Sequence, residues 1–187
     1  TQGVSSAASD VYKRQPHHDT VVLDAPASGH GLGMLRTPHT YAEIARVGPV
    51  AAQAREVDAL LRDPGRCLVV IVCSPEETPV NETIELSAAL VRDLGRAPSL
   101  VVMNGMVEAA LSDREADTAR LSVGGSVALD AAQARSALAG RQAAQLERLE
   151  SLSPAPVLVL PDAGASGVTP ETVEALADRL AAALRAG

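Results

Sequence analysis

TVVLDAPASGHGLGML, residues 20–35, is the stretch that decides the fold predicted for this chain. A short aliphatic run, Val21–Leu23, ends at Asp24, and a loop of small residues then supplies Gly29 and His30. This pattern predicts a buried strand that delivers an acid into a loop large enough for a phosphate. An aspartate at the end of a central strand can hold Mg²⁺ through water, and a glycine N–H can contact a γ-phosphate. The alternative interpretation is an ordinary strand-loop-helix turn with a capping aspartate.

The motif DAPASGH, residues 24–30, resembles the D-T-A-P-T-G-H signature of the arsenical-pump and tail-anchored-protein-targeting ATPases. These form a dimeric, SIMIBI-type branch of the P-loop NTPases. The proline comes one residue early here, and Ala25 and Ser28 replace the two threonines. The resemblance implies ATP and Mg²⁺ as ligands, with Asp24 in the Mg²⁺ shell, Gly29 at the γ-phosphate and His30 in the switch. A histidine in a glycine-rich turn is also often only a solvated residue.

Three more apolar runs, at residues 67–73, 99–103 and 156–160, are predicted to be strands. CLVVIVC, residues 67–73, is continuous, as expected for a strand buried on both faces. The runs end at Ser74, at Asn104 and at Pro161–Asp162, and the carboxyl ends of parallel strands share one edge, where ligands bind. The resemblance implies that Asn104, Pro161 and Asp162 bind the adenine. A plain turn residue is the alternative for Asn104.

Helices are predicted between these strands, which makes the fold α/β, a parallel sheet with flanking helices. One helix starts at Thr37–Pro38, breaks at Gly48–Pro49 and resumes to Asp63. The next has Thr78 as its cap, another covers 130–152, and the last has Thr169 as its cap. The segment P-E followed by N-E-T, with Glu76 and Glu82, and the stretch beginning Arg141–Gln142 are also similar to the ATPase family. Glu76 and Glu82 contact a partner subunit in that interpretation, or belong to a solvated first turn.

Residues 1–15 differ from the rest of the chain in composition, because they are Ser-rich, show no hydrophobic periodicity and contain Lys13, the only lysine. They are interpreted as a non-native or disordered leader. Residues 16–187 then resemble the C-terminal part of an ATPase domain, an incomplete P-loop NTPase fold of the SIMIBI type, with 36–64 as a reduced helical insertion. The sequence contains no G-x-x-x-x-G-K-[ST] phosphate loop, so this stretch is expected to be inactive alone.

Composition excludes some classes of function. A net charge of −7 and the absence of Trp and Phe argue against nucleic acid as a partner. Cys67 and Cys73 stand too far apart along an extended strand to pair and are expected to be buried. With no membrane span or signal peptide visible, cytoplasmic localisation is expected.

The combined prediction is the nucleotide-binding part of an ATPase that couples hydrolysis to a conformational change for transport or targeting. The implied partners are a second copy, forming a homodimer, and a membrane pump or client protein. The alternatives are a non-catalytic dimerisation or regulatory module related to the partition-type ATPases, and another ATP-using enzyme such as a ligase of the same superfamily.

Overall fold

The structure, a computed structural model, describes residues 20–26, 29–112, 114–115, 117–119, 126–164 and 167–186. Its helices and strands alternate along most of the chain. In order they are α1 (Gly29–Ala45), α2 (Pro49–Arg62), β1 (Val70–Cys73), α3 (Glu77–Leu94), β2 (Leu100–Met106), α4 (Val127–Leu152), β3 (Val157–Pro161) and α5 (Pro170–Ala186).

The three strands form one parallel sheet in the order β1-β2-β3. Val70 is opposite Leu100 at one end of the first pair, and Asn104 is opposite Leu160 in the second pair. Because α3 and α4 connect successive strands, the carboxyl ends of all three strands lie at the same edge. The predicted parallel α/β sheet with flanking helices is therefore confirmed.

The central strand β2 is buried on both faces, and a separate apolar cluster lies on each. On one face, Val101 and Met103 pack with residues of α3 and α4 such as Leu90 and Leu149. On the other face, Leu100, Val102 and Leu160 pack beneath α5. Both layers are thus filled mainly by aliphatic side chains, as expected for a chain without Phe or Trp.

The strand predicted at Val21–Leu23 is not present. These three residues belong to an extended segment without secondary structure, and they are 79%, 89% and 70% exposed. No strand pairs with this segment within the described residues, so its apolar side chains are not buried. The prediction of four strands was wrong by one, because an apolar run becomes a strand only when a neighbour satisfies its backbone.

The prediction that residues 67–73 are buried on both faces was also wrong. Ile71 and Cys73 are buried against α3, whereas Val70 and Val72 on the opposite face are 37% and 63% exposed. The reason is the position of α5, which packs on residues of β2 and β3 and leaves the outer face of β1 uncovered. A continuous apolar run does not reveal how far the covering helix extends across the sheet.

Most predicted helix boundaries are close to those observed. The break at Gly48–Pro49 is confirmed, and the Thr169 hydroxyl accepts from the Thr172 N–H at 3.3 Å, as expected of a cap. α3 begins two residues earlier than predicted, with Glu76 rather than Thr78 at its N-cap. α1 begins at Gly29 instead of Thr37 and continues through Pro38. Packing of its leucines, Leu32 and Leu35, against the core holds these first turns in a helix despite their glycines.

Candidate functional site

Asn104 lies at a bulge near the carboxyl end of β2. The strand does not stop at Met103 as predicted but continues to Met106, and its pairing with β3 is irregular between Asn104 and Met106. Gly105 permits this irregularity, since its φ of +88° is a conformation that L side chains rarely adopt. The bulge leaves the Asn104 side chain exposed, at a point where the preceding four residues are all buried.

Pro161 and Asp162 lie beside this bulge. Pro161 ends β3 and is paired with Met106, and the Asp162 N–H donates to the Met106 carbonyl at 2.9 Å. Neighbouring strands in a sheet are about 4.8 Å apart, so the three predicted adenine-site residues are brought together. Asp162 is exposed and Pro161 is partly buried. This edge offers an amide, a proline ring and a carboxylate to a ligand from solvent.

The segment that follows β2 is held in place by α4. The Val107 N–H donates to the side-chain oxygen of Gln142 at 2.8 Å, and Gln142 is only 5% exposed. Farther along, the Ser136 hydroxyl accepts from the Leu111 N–H at 3.0 Å and donates to the Leu111 carbonyl at 2.9 Å. α4 therefore extends beyond the carboxyl edge and supports one side of the candidate site. The sequence marked Gln142 as part of a helix motif, but a supporting role for it was not predicted.

The predicted phosphate and metal residues lie elsewhere in the chain. Asp24 is exposed in the extended segment, and Gly29 and His30 are exposed in the first turn of α1. A Cβ built on Gly31 would lie 2.7 Å from the Pro26 carbonyl oxygen. This close approach means that the chain before the helix folds against its first turn, and that glycine is required at position 31.

The two groups of predicted residues are not joined by any hydrogen bond or ion pair in the described parts of the chain. α3 runs from the carboxyl edge of the sheet, where β1 ends, back to the amino edge, where β2 begins. Arg36 of α1 forms an ion pair of 3.6 Å with Asp93, near the end of α3. α1 is thus attached near the amino edge, whereas Asn104, Pro161 and Asp162 lie at the carboxyl edge.

No group of three or more His, Cys, Asp or Glu side chains suited to a metal ion occurs in the portion of the chain that the structure describes. Asp24 itself lies in the exposed segment without secondary structure, so the sheet does not position its carboxylate.

The two cysteines are free, as predicted. Cys73 is buried at the end of β1, and Cys67 is partly buried at the start of the same apolar run. Burial raises the pKa of the Cys73 thiol, a hydrogen bond with Thr83 opposes this increase, and the charge of Glu76 adds to it. Cys73 is therefore kept protonated and behaves as a small apolar side chain.

No protein-family model and no curated protein matches this chain. Among the helices of the described residues, none has the length and apolar character needed to cross a membrane.

Proposed function

We propose that this protein binds an adenine nucleotide at the carboxyl edge of its sheet, as the nucleotide-binding part of an ATPase similar to the arsenical-pump and tail-anchored-protein-targeting family. The observation that carries the proposal is the exposed amide of Asn104 beside Pro161 and Asp162. An amide both donates and accepts, which matches the edge of an adenine ring, and a proline ring provides an apolar surface next to it.

The phosphate-binding role of Gly29 and His30 follows from the resemblance. In the structure, α1 is attached near the amino edge of the sheet, away from Asn104. The first turn of α1 contains no acidic residue, a feature that it shares with α2. An anion is stabilised at a helix N-terminus by free N–H groups and by the helix dipole, and a nearby carboxylate opposes it. The start of α1 has no such carboxylate in its first turn.

Binding is tested by calorimetric titration of the full chain with ATP, ADP and GTP in the presence of Mg²⁺. Asn104→Ala should weaken ATP binding by about 1 to 3 kcal/mol and reduce discrimination against GTP, because a base edge loses its partner. Gln53→Ala, which removes an exposed amide from α2, is the matched control and should bind as the parent does. If Asn104→Ala binds ATP and GTP with the same affinities as the parent does, the proposed site is contradicted.

One observation favours a second candidate, a non-catalytic dimerisation or regulatory module of the same fold. Asp24 lies in an exposed segment instead of at the end of a strand, so its carboxylate is not positioned by the sheet. Phosphate release is measured with the parent and with Asp24→Asn. Turnover that is lost in Asp24→Asn supports the ATPase, whereas nucleotide binding without turnover agrees with both candidates, because the chain contains no phosphate-loop motif and is expected to be inactive alone. A homodimer and a pump or client partner belong to the ATPase proposal and follow from its resemblance.

A further inference from the structure

A cavity of about 330 Å³ lies at the amino edge of the sheet, at the opposite end of the strands from Asn104. Leu68 and Ser99, which precede β1 and β2, line one side, and Ala183 and Leu184 near the end of α5 line another. Its volume is within the range of pockets that hold small molecules. The residues that the proposed nucleotide site uses take no part in it.

Arg96 lines this cavity, and its hydrogen bonds all go to uncharged groups. Nη1 donates to the carbonyl oxygens of Leu61 and Cys67 at 3.2 and 2.7 Å, and Nη2 donates to the Ser99 hydroxyl at 3.0 Å. Nε is buried without a partner. A guanidinium has five N–H donors, so these three bonds leave two unused, the buried Nε–H and one N–H of Nη2. Within the described residues, no carboxylate lies within ion-pair distance of Arg96, and its positive charge is not neutralised.

Arg96 is the one charged side chain among the residues that line the cavity. Asp63, which directly precedes the lining residue Pro64, accepts from the Gly65 N–H at 2.9 Å and forms no ion pair with Arg96. A guanidinium without a carboxylate partner attracts anions.

The cavity also has an apolar wall. Pro64, Leu68, Ala183 and Leu184 provide it, and Leu68 is 56% exposed although it lies only two residues before β1. Covering an exposed leucine side chain is favourable, at about 25 cal/mol per Å² of apolar surface removed from water. A ligand with one negative charge and a short apolar group could contact both Arg96 and the apolar wall of the cavity.

We propose that this cavity binds a small aliphatic carboxylate. The carboxylate is placed at Arg96, and a short branched hydrocarbon body lies against Leu68 and Leu184. A carboxylate suits the site better than a phosphate does, because a single guanidinium with one reachable N–H, on Nη2, matches one monoanion. The lining residues offer neither a lysine nor a second arginine for a doubly charged group.

The test is a titration of the ¹⁵N-labelled full chain with isovalerate, followed by NMR. Two control compounds are titrated in parallel. Isovaleramide has the same hydrocarbon group without the negative charge, and inorganic phosphate has negative charge without the hydrocarbon group. Isovalerate should shift the amide resonances of Arg96, Ala97, Ser99, Ala183 and Leu184 with half-saturation at about millimolar concentration. The other two probes should bind about tenfold more weakly or worse. Equal binding of isovaleramide or of phosphate would overturn the proposal, as would shifts confined to other parts of the chain.

Two variants connect binding to the cavity itself. Arg96→Met should weaken isovalerate binding by about tenfold or more, but it also leaves the Leu61 and Cys67 carbonyls without a donor and can disturb folding. Ala183→Leu avoids this problem because it fills the cavity and leaves Arg96 unchanged. Ala177→Leu makes the same change at an exposed position of α5 and is the control. Binding by Ala183→Leu that equals binding by Ala177→Leu would show that isovalerate does not occupy this cavity.

Discussion

The side-chain oxygen of Gln142 accepts a hydrogen bond from the backbone N–H of Val107 at 2.8 Å, across 35 residues of sequence. This bond joins the middle of α4 to the first residue after β2. The residue that it positions follows the bulge at Asn104 by three places, so the bond determines the direction in which the chain leaves the candidate site. A buried N–H that loses such a partner has no access to water in exchange.

We expect Gln142→Met to lower the free energy of unfolding by about 1 to 3 kcal/mol, because the Val107 N–H is left buried without an acceptor. Urea denaturation followed by circular dichroism measures this change. Gln145→Met is the matched control, since the Gln145 side-chain oxygen is buried on the same helix without a partner. That replacement should leave stability unchanged or increase it. Similar losses in the two variants would contradict the role assigned to Gln142.

The one-sided burial of β1 gives a second prediction. Ile71→Ala should lower stability by about 2 to 5 kcal/mol, because it removes buried methyl groups and leaves a cavity beneath α3. Val72→Ala, one position along the strand, should change it by less than about 1 kcal/mol, because Val72 is 63% exposed. Comparing the two denaturation midpoints is the measurement. A loss from Val72→Ala as large as that from Ile71→Ala would mean that the outer face of β1 is covered in solution.

A third prediction concerns the attachment of the α1–α2 hairpin. Arg62 donates from Nη1 to the Leu94 carbonyl at 3.0 Å and from Nε to Asp58 at 3.0 Å, and so links α2 to the end of α3. Arg62→Met should lower stability by about 1 to 3 kcal/mol and should accelerate hydrogen exchange in α1 and α2 more than in β2. Arg148→Met, at an exposed position of α4, is the control. Uniform acceleration across the sheet and the hairpin would argue against a local attachment.

The fourth prediction is a pH dependence. Because burial raises the pKa of Cys73, the folded state favours the protonated thiol more than the unfolded state does. This stabilisation is complete below the ordinary thiol pKa and is lost as pH rises through the higher folded-state pKa. Stability should therefore decrease as pH rises above about 8.5, and this decrease should be smaller in Cys73→Ala. Cys67→Ala is the control and should keep the alkaline decrease of the parent. If the parent, Cys73→Ala and Cys67→Ala all lose the same stability at high pH, Cys73 is not the cause of the decrease.

Sequence patterns correctly predicted those features of the fold that depend on interactions between residues close together in the chain. The Gly48–Pro49 break and the Thr169 cap depend on backbone restrictions and on hydrogen bonds within one turn, and both were predicted. Val21–Leu23 was assigned incorrectly because a strand requires a neighbour that its own residues do not specify. The exposure of Val72 depends on where α5 lies. The role proposed for Arg96 depends on its hydrogen-bond acceptors and on the adjoining cavity, and neither can be predicted from local sequence. The placement of Asn104 and Pro161 at one edge of the sheet was expected, because the carboxyl ends of parallel strands share that edge, whereas the bulge at Gly105 was not expected.

The strand order β1-β2-β3 also has a consequence for how the protein forms. Each strand pairs with its immediate successor along the chain, so no pairing has to wait for a distant segment. During synthesis, β1, α3 and β2 can assemble as a first unit before α4 has been made, and β3 with α5 can then add to an edge that already exists. The pairings Val70–Leu100 and Val101–Val157 nevertheless join residues that are far apart in sequence, and pairings of this kind form slowly because a long stretch of chain must first be closed into a loop. The central strand takes part in both stages, because it belongs to the first unit and forms the template for the second.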